Sequence, residues 1–81
     1  MIRTLDLSSI QKVREFISTA MYYEETILVR KNDFVVDGHS ILGVLSLGDL
    51  SEVQVEFVSE NDEEANKFFK AFSSFEATRQ E

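Results

Sequence analysis

The chain has 81 residues, 43% of them hydrophobic and 28% charged, which suits one small domain with one modest core. It carries no cysteine and a single histidine, His39, which excludes disulfides, thiolate nucleophiles, thiolate metal sites and a two-histidine metal site within one chain. Fifteen acidic residues against eight basic ones give a net charge of −7, the wrong sign for neutralising nucleic-acid phosphates.

The charge is uneven along the chain. Residues 1 to 31 hold five basic residues (Arg3, Lys12, Arg14, Arg30, Lys31) and four acidic ones, whereas residues 32 to 81 hold three basic and eleven acidic. The second stretch repels anions and suits a basic partner, although solubility alone also accounts for it. No apolar run approaches the ~20 residues of a membrane helix. The N-terminus has an acid at Asp6 and no long apolar centre, unlike a secretory signal. The expectation is a cytoplasmic protein, a single domain over 1–81, with no nucleic-acid or membrane partner.

Ile2 to Leu7 alternates, with Arg3, Leu5 and Leu7 on one side, a weak strand signal. Ser8 and Gln11 have capping-box spacing and predict a helix start. Ile10, Val13, Phe16, Ile17 and Ala20 follow at helical spacing, and the helix is expected to end near Tyr22. Thr26 to Arg30 and Phe34 to Val36 read as strands joined by an Asn32-Asp33 turn. Asp37-Gly38-His39 breaks the pattern. The run Ile41 to Leu47 is short enough for either helix or strand; Ser40 before it and Gly48 after it favour a short capped helix.

Glu52 to Phe57 alternates strictly, with Val53, Val55 and Phe57 directed to the core. Asn61 followed by Asp62, Glu63 and Glu64 suits a helix start, because acids favour the positive end of the helix dipole. Ala65, Phe68, Phe69, Phe72 and Phe75 form the apolar stripe of that helix, and the tail after Ala77 is expected to fray. The predicted order is β-α-β-β-α-β-α, an α+β fold with helices on one face of an antiparallel sheet.

Few residues carry chemistry. His39 could act as a base or phosphoryl acceptor, but no partner stands near it in sequence, and an exposed loop histidine is the simpler reading. Ser40 reads as an N-cap; as a phosphorylation site it would gain from the free N–H groups of a helix start. Asp62, Glu63 and Glu64 lack the ligand spacing of a calcium loop, and Asp33 and Asp37 read as turn and break residues. There is no glycine-rich phosphate loop and no nucleophile–histidine–acid pattern. Ile41, Leu42 and Leu45 are candidates for an interaction surface, since a short helix buries only part of its apolar surface.

The stretch Ser40-Ile41-Leu42-Gly43-Val44-Leu45-Ser46-Leu47-Gly48 resembles the HPr phosphocarrier family of the sugar phosphotransferase system, which commonly has Lys-Ser-Ile-Met-Gly-Val-Met-Ser-Leu-Gly there. The Asp62-Glu63-Glu64-Ala65 helix start and the element order are similar too, and an ungapped match runs from about Lys12 to about Phe72. The resemblance implies the family's open-faced β-sandwich.

The departure lies in the family's active loop, Gly-Ile-His-Ala-Arg-Pro, whose histidine carries the phosphoryl group. Ungapped, Ser9, Gln11 and Lys12 stand at the positions of its histidine, arginine and proline; the alternative is a loop several residues shorter. Either way no histidine stands there, and His39 falls beside the family's regulatory serine, matched by Ser40. The resemblance therefore implies a protein that is neither an enzyme nor a phosphohistidine carrier, with no cofactor or metal. It is Crh-like in lacking that histidine while keeping the serine, and so looks like a co-regulator of catabolite control. The implied partner is a protein, a transcription regulator or a phosphotransferase-system protein, docking on Ile41, Leu42 and Leu45 with Ser40 as the switch. His39 replaces the usual lysine and Gly38 precedes it, which alters the kinase recognition sequence. Two alternatives stay open: an accessory or structural protein of this fold with no phosphorylation, and a carrier using His39 as an unconventional acceptor.

Overall fold

Thr26–Lys31 (β2) and Phe34–Asp37 (β3) are rich in β-branched and aromatic residues, and two residues join them. In the computed structural model, which describes residues 1–77, they pair as a hairpin with Lys31 opposite Phe34. Asn32 takes the positive φ of 56° at the first turn position, as a type II′ turn requires. Val53–Val58 (β4) pairs with β2, and Ile2–Leu5 (β1) pairs with β4. The result is a four-stranded antiparallel sheet in the order β1-β4-β2-β3.

The period-2 pattern of β4 becomes the division between the two faces of the sheet. Val53, Val55 and Phe57 are fully buried, and their cross-strand neighbours Leu5, Val29 and Ile27 are buried with them. Gln54, Glu56 and Val58 face the other way, where Arg30 Nη2 donates to Glu56 Oε1 at 2.8 Å. The buried face is covered by helices Ile10–Ala20 (α1), Ile41–Leu45 (α2) and Asp62–Lys70 (α3). The order and the one-sided helix layer are as expected, with a 3-10 turn over Ser73–Phe75 added. β2, β3 and β4 differ from the sequence reading by a residue at one or both ends, β1 stops at Leu5 rather than Leu7, and among the described residues no helix is long and apolar enough to cross a membrane.

Three local readings are corrected. The cap of α1 is Ser9, whose Oγ accepts the Lys12 N–H at 3.1 Å; the Ser8–Gln11 capping box does not form. The reason is upstream: the Ser8 N–H is drawn to Asp6 Oδ1 at 2.9 Å, an Asx turn that leaves the next serine to cap. The helix stops at Ala20, short of Tyr22, and Ile10 at its start is exposed while Val13, Phe16 and Ala20 are buried. The phenylalanine stripe also outruns its helix. Ala65, Phe68 and Phe69 belong to α3, whereas Phe72 and Phe75 are buried from the turns after Lys70. The expected fraying after Ala77 lies outside the described residues.

α3 begins where the acids stand. Asn61 Oδ1 accepts the N–H groups of Glu63 and Glu64 at 3.0 and 3.3 Å. Asp62, Glu63 and Glu64 fill the first turn and Lys67 and Lys70 the last, so both ends suit the helix dipole.

The core is aromatic at its centre. The Phe68 ring lies 6.0 Å or less, centroid to centroid, from Phe16, Tyr23, Phe57, Phe69 and Phe72, mostly edge to face. One side chain thus ties α1, α3 and β4 together. Phe68→Ala is expected to cost about 3–5 kcal/mol, most of the stability of a domain this small. Urea unfolding followed by circular dichroism measures it, and a loss below about 1 kcal/mol would contradict this account of the core.

Candidate functional site

α2 is the element that most of the sequence-derived candidates share. Ser40 caps it: its Oγ accepts the Gly43 N–H at 3.0 Å, and its carbonyl accepts from Val44 N at 3.0 Å. Ser40 N in turn donates to the Asp37 carbonyl at 3.0 Å, which fixes the helix to the end of β3. Gly43 leaves room for the capping hydroxyl, while the sheet beside it is at ordinary contact distance. A Cβ there would lie 3.2 Å from Ser40 Oγ and 3.5 Å from Val36 Cβ. The expected short helix is observed, anchored on the buried Val44, and packs on α1 and β3.

With Val44 facing inward, the other apolar side chains of α2 face out. Ile41 is 38%, Leu42 77% and Leu45 40% exposed. Ile41 and Leu45 are four residues apart and lie on one side of the helix, with Leu42 beside them. The structure therefore brings Ile41, Leu42 and Leu45 together as an apolar surface next to a half-buried serine hydroxyl.

His39 differs from the loop histidine expected from sequence, since its ring is held on both sides. Nε2 lies 2.9 Å from the Tyr23 carbonyl, and Nδ1 lies 3.3 Å from Asp37 Oδ1. The carbonyl can only accept, so Nε2 carries a proton. The Asp37 carboxyl also accepts the His39 N–H at 2.9 Å. That bond first, and the ring contact after it, hold its pKa below the usual carboxylate value. The adjoining Gly38 has a packing role, because a Cβ there would come within 2.5 Å of Ile27 Cγ2.

The start of α1, where the first strand runs into the helix, holds a separate polar cluster. Lys12 Nζ donates to Asp6 Oδ2 at 3.0 Å, and Asp6 Oδ1 accepts from Ser8 N. Hydrogen bonding from the Ser8 side chain, then from Lys12, lowers the Asp6 pKa to about 2. A surface recess of about 570 Å³ on α1 is lined by Gln11, Arg14, Glu15 and Ser18, with no α2 residue in its wall. Among the described residues no group of three or more His, Asp or Glu side chains is placed to hold a metal ion.

Sequence reasoning anticipated the Ser40 cap and the exposure of Ile41, Leu42 and Leu45 but missed the His39–Tyr23 contact, which joins loops 16 positions apart. It also missed the Asp6–Lys12 pair, for which Asp-x-Ser ahead of a helix was a usable sign.

No protein-family model matches the sequence, and no curated protein matches it significantly. Among solved structures, the chain is similar to HPr-C-His from Thermoanaerobacter tengcongensis, with a TM-score of 0.72 and 24% identity over 91% of this chain and 92% of that one. It is also similar to a phosphocarrier protein HPr from Bacillus anthracis strain Ames, with a TM-score of 0.62 and 20% identity over 90% and 94% of the two chains. The fold is therefore that of the HPr phosphocarriers, an open-faced β-sandwich.

The Asp6 cluster has a pH signature. A carboxyl whose pKa is lowered on folding stabilises the fold above its unfolded pKa, and that stabilisation is lost as pH falls from about 4 towards about 2. Asp6→Asn should lower the urea midpoint at pH 7 and lose less than the wild type between pH ~4 and ~2, so that the two curves converge. Parallel curves across that window would show that Asp6 contributes nothing through its charge.

Proposed function

We propose that this chain is a cytoplasmic, single-domain, HPr-like regulatory module of sugar phosphotransferase or catabolite control that binds a protein partner and does not carry phosphohistidine. The observation that carries the reading is the α2 surface: Ile41, Leu42 and Leu45 exposed together beside the capping hydroxyl of Ser40. Apolar side chains exposed side by side support an interaction surface there. Ser40 sits where a phosphate would change that surface most. A phosphoryl group brings about −1.5 to −2 charges to the rim of the patch, and its oxygens can accept the Gly43 N–H now held by Oγ. On a chain already at −7, that favours a partner with a basic surface.

Two features support the absence of phosphohistidine transfer. The start of α1 holds Asp6, Ser8, Ser9 and Lys12, and the chain's single histidine lies elsewhere. His39 is an unsuitable acceptor, because Nε2 is committed to the Tyr23 carbonyl and Nδ1 faces the Asp37 carboxyl, which repels an incoming phosphoryl donor. The activity expected is binding, with no catalytic residue and no cofactor.

The test is incubation of the protein in lysate of its own host, once with ATP and once with phosphoenolpyruvate, followed by intact mass and site mapping under conditions that keep acid-labile phosphates. ATP-dependent phosphate on Ser40 is expected, and none from phosphoenolpyruvate. A phosphoenolpyruvate-dependent phosphate on His39 overturns the reading. Leu45→Asp should keep the circular dichroism spectrum, with a stability change within about 1 kcal/mol, and lose the partner retained by Ser40-phosphorylated wild type. Undiminished retention by Leu45→Asp would remove the α2 surface from consideration.

A further inference from the structure

β3 lies at an edge of the sheet, paired with β2 on one side only. Its register closes at Lys31–Phe34 across the two-residue turn, so Phe34 and Val36 turn their N–H and C=O groups towards β2, and Val35 turns both of its own outward. The side chains on this edge are apolar and uncovered: Phe34 is 68% and Val35 48% exposed. Unpaired backbone flanked by apolar side chains is a template for a further strand.

The electrostatics select what that strand is. Asp33 and Asp37 bracket the edge two residues either side of Val35. Beside Val35 lies a groove of about 430 Å³ with Leu28 and Val35 in its wall and Glu24, Glu25 and Asp37 at its rim. Among the described residues neither Glu24 nor Glu25 is in an ion pair. The His39 backbone N–H donates to Asp37 Oδ1 and the ring Nδ1 lies against the same oxygen, which leaves Oδ2 for an incoming cation. His39 is the one group on the groove that can itself be cationic. A second copy of this chain is a poor occupant. The two-fold register that opposes Val35 to Val35 also opposes Asp33 to Asp37 twice, between molecules that each carry −7.

We propose that the β3 edge accepts an extended segment of another protein as a fifth antiparallel strand, apolar at its centre and basic two residues to either side. Pairing centred on Val35 places those basic residues opposite Asp37 and Asp33 and gives the pattern basic-x-apolar-x-basic. The residue opposite Asp37 shares a sheet face with Leu28 and Val35. A lysine or arginine there lays its aliphatic stem along the groove and brings its charge among Glu24, Glu25 and Asp37. This edge is formed by β3, on which α2 packs, and does not include Ile41, Leu42 or Leu45.

The test is an amide-shift titration of isotope-labelled protein with two peptides, Lys-Thr-Val-Thr-Arg and Glu-Thr-Val-Thr-Glu. The basic peptide should shift residues 24 to 28 and 33 to 37, and the acidic one should not. Val35→Pro removes an N–H that makes no bond within the sheet, a replacement an edge strand tolerates, so it should fold and bind the basic peptide at least about tenfold more weakly. The double variant Glu24→Lys/Glu25→Lys leaves the backbone edge intact and should weaken binding in the same direction. The proposal is overturned by any of four results: no shift at about 1 mM basic peptide, equal response to both peptides, undiminished binding by both variants, or β3 shifts that grow with protein concentration alone. The last of these would assign the edge to a second copy.

Discussion

The structure depends on the aromatic cluster around Phe68. The chain has no disulfide and few residues, so its stability has to come from a small number of well-packed side chains. Phe16 from α1, Phe57 from β4, Tyr23 from the loop between α1 and β2, and Phe72 after α3 all meet that ring. Aromatic rings supply large buried areas, and their edge-to-face geometry adds direction to what would otherwise be a non-specific contact. Each element that contributes a ring is thereby fixed relative to the sheet, and the loops between them inherit their positions.

α2 contributes no ring to this cluster. It is five residues long and is anchored by one fully buried side chain, Val44, together with the cap at Ser40. A helix that is held at one position and packed on one side necessarily shows its remaining apolar residues to solvent. The same limit applies at β3, where the helices do not reach far enough to cover Phe34. Part of the molecule's exposed apolar surface therefore lies where the core runs out, at the short helix and at the sheet edge. These are the two places proposed here for partners.

The fold was legible from residue patterns because its strongest signals are periodic. Strict alternation in β4 and helical spacing in α1 each follow from burial on one face, and burial is what the three-dimensional structure preserves. Ser40 marked the start of α2 correctly because an N-cap acts locally, whereas the helix ends at Leu45 with Ser46 as its C-cap, short of the expected bound at Gly48. What escaped was set by competition between neighbours or by distant chain. Ser8 and Ser9 are equally good caps in isolation, and Asp6 decided between them. The stripe from Ala65 to Phe75 looked like one helix because a turn and a 3-10 segment return Phe72 and Phe75 to the same core. His39 found one partner in a backbone carbonyl, a group no pattern marks, and the other in Asp37, two residues before it, where the sequence reading places none. The exposed side of α2 was suggested by helix length, yet which residues occupy it depended on how Val44 seated.

The strand order has a consequence for how the chain comes together during synthesis. β1 finds its partner in β4, with Ile2 opposite Glu56, and the segment after it is secured later still, by Asp6 N to the Phe75 carbonyl and Ala77 N to the Thr4 carbonyl. The β2–β3 hairpin, closed by two residues, can form almost as soon as it emerges. β1 can therefore be placed only once β4 is available, and Leu5 and Leu7 stay uncovered until then. The local β2–β3 pairing and the long-range β1–β4 pairing thus lie at opposite ends of the sheet, and the strand whose placement costs the most loop closure is the one at the edge away from the hairpin.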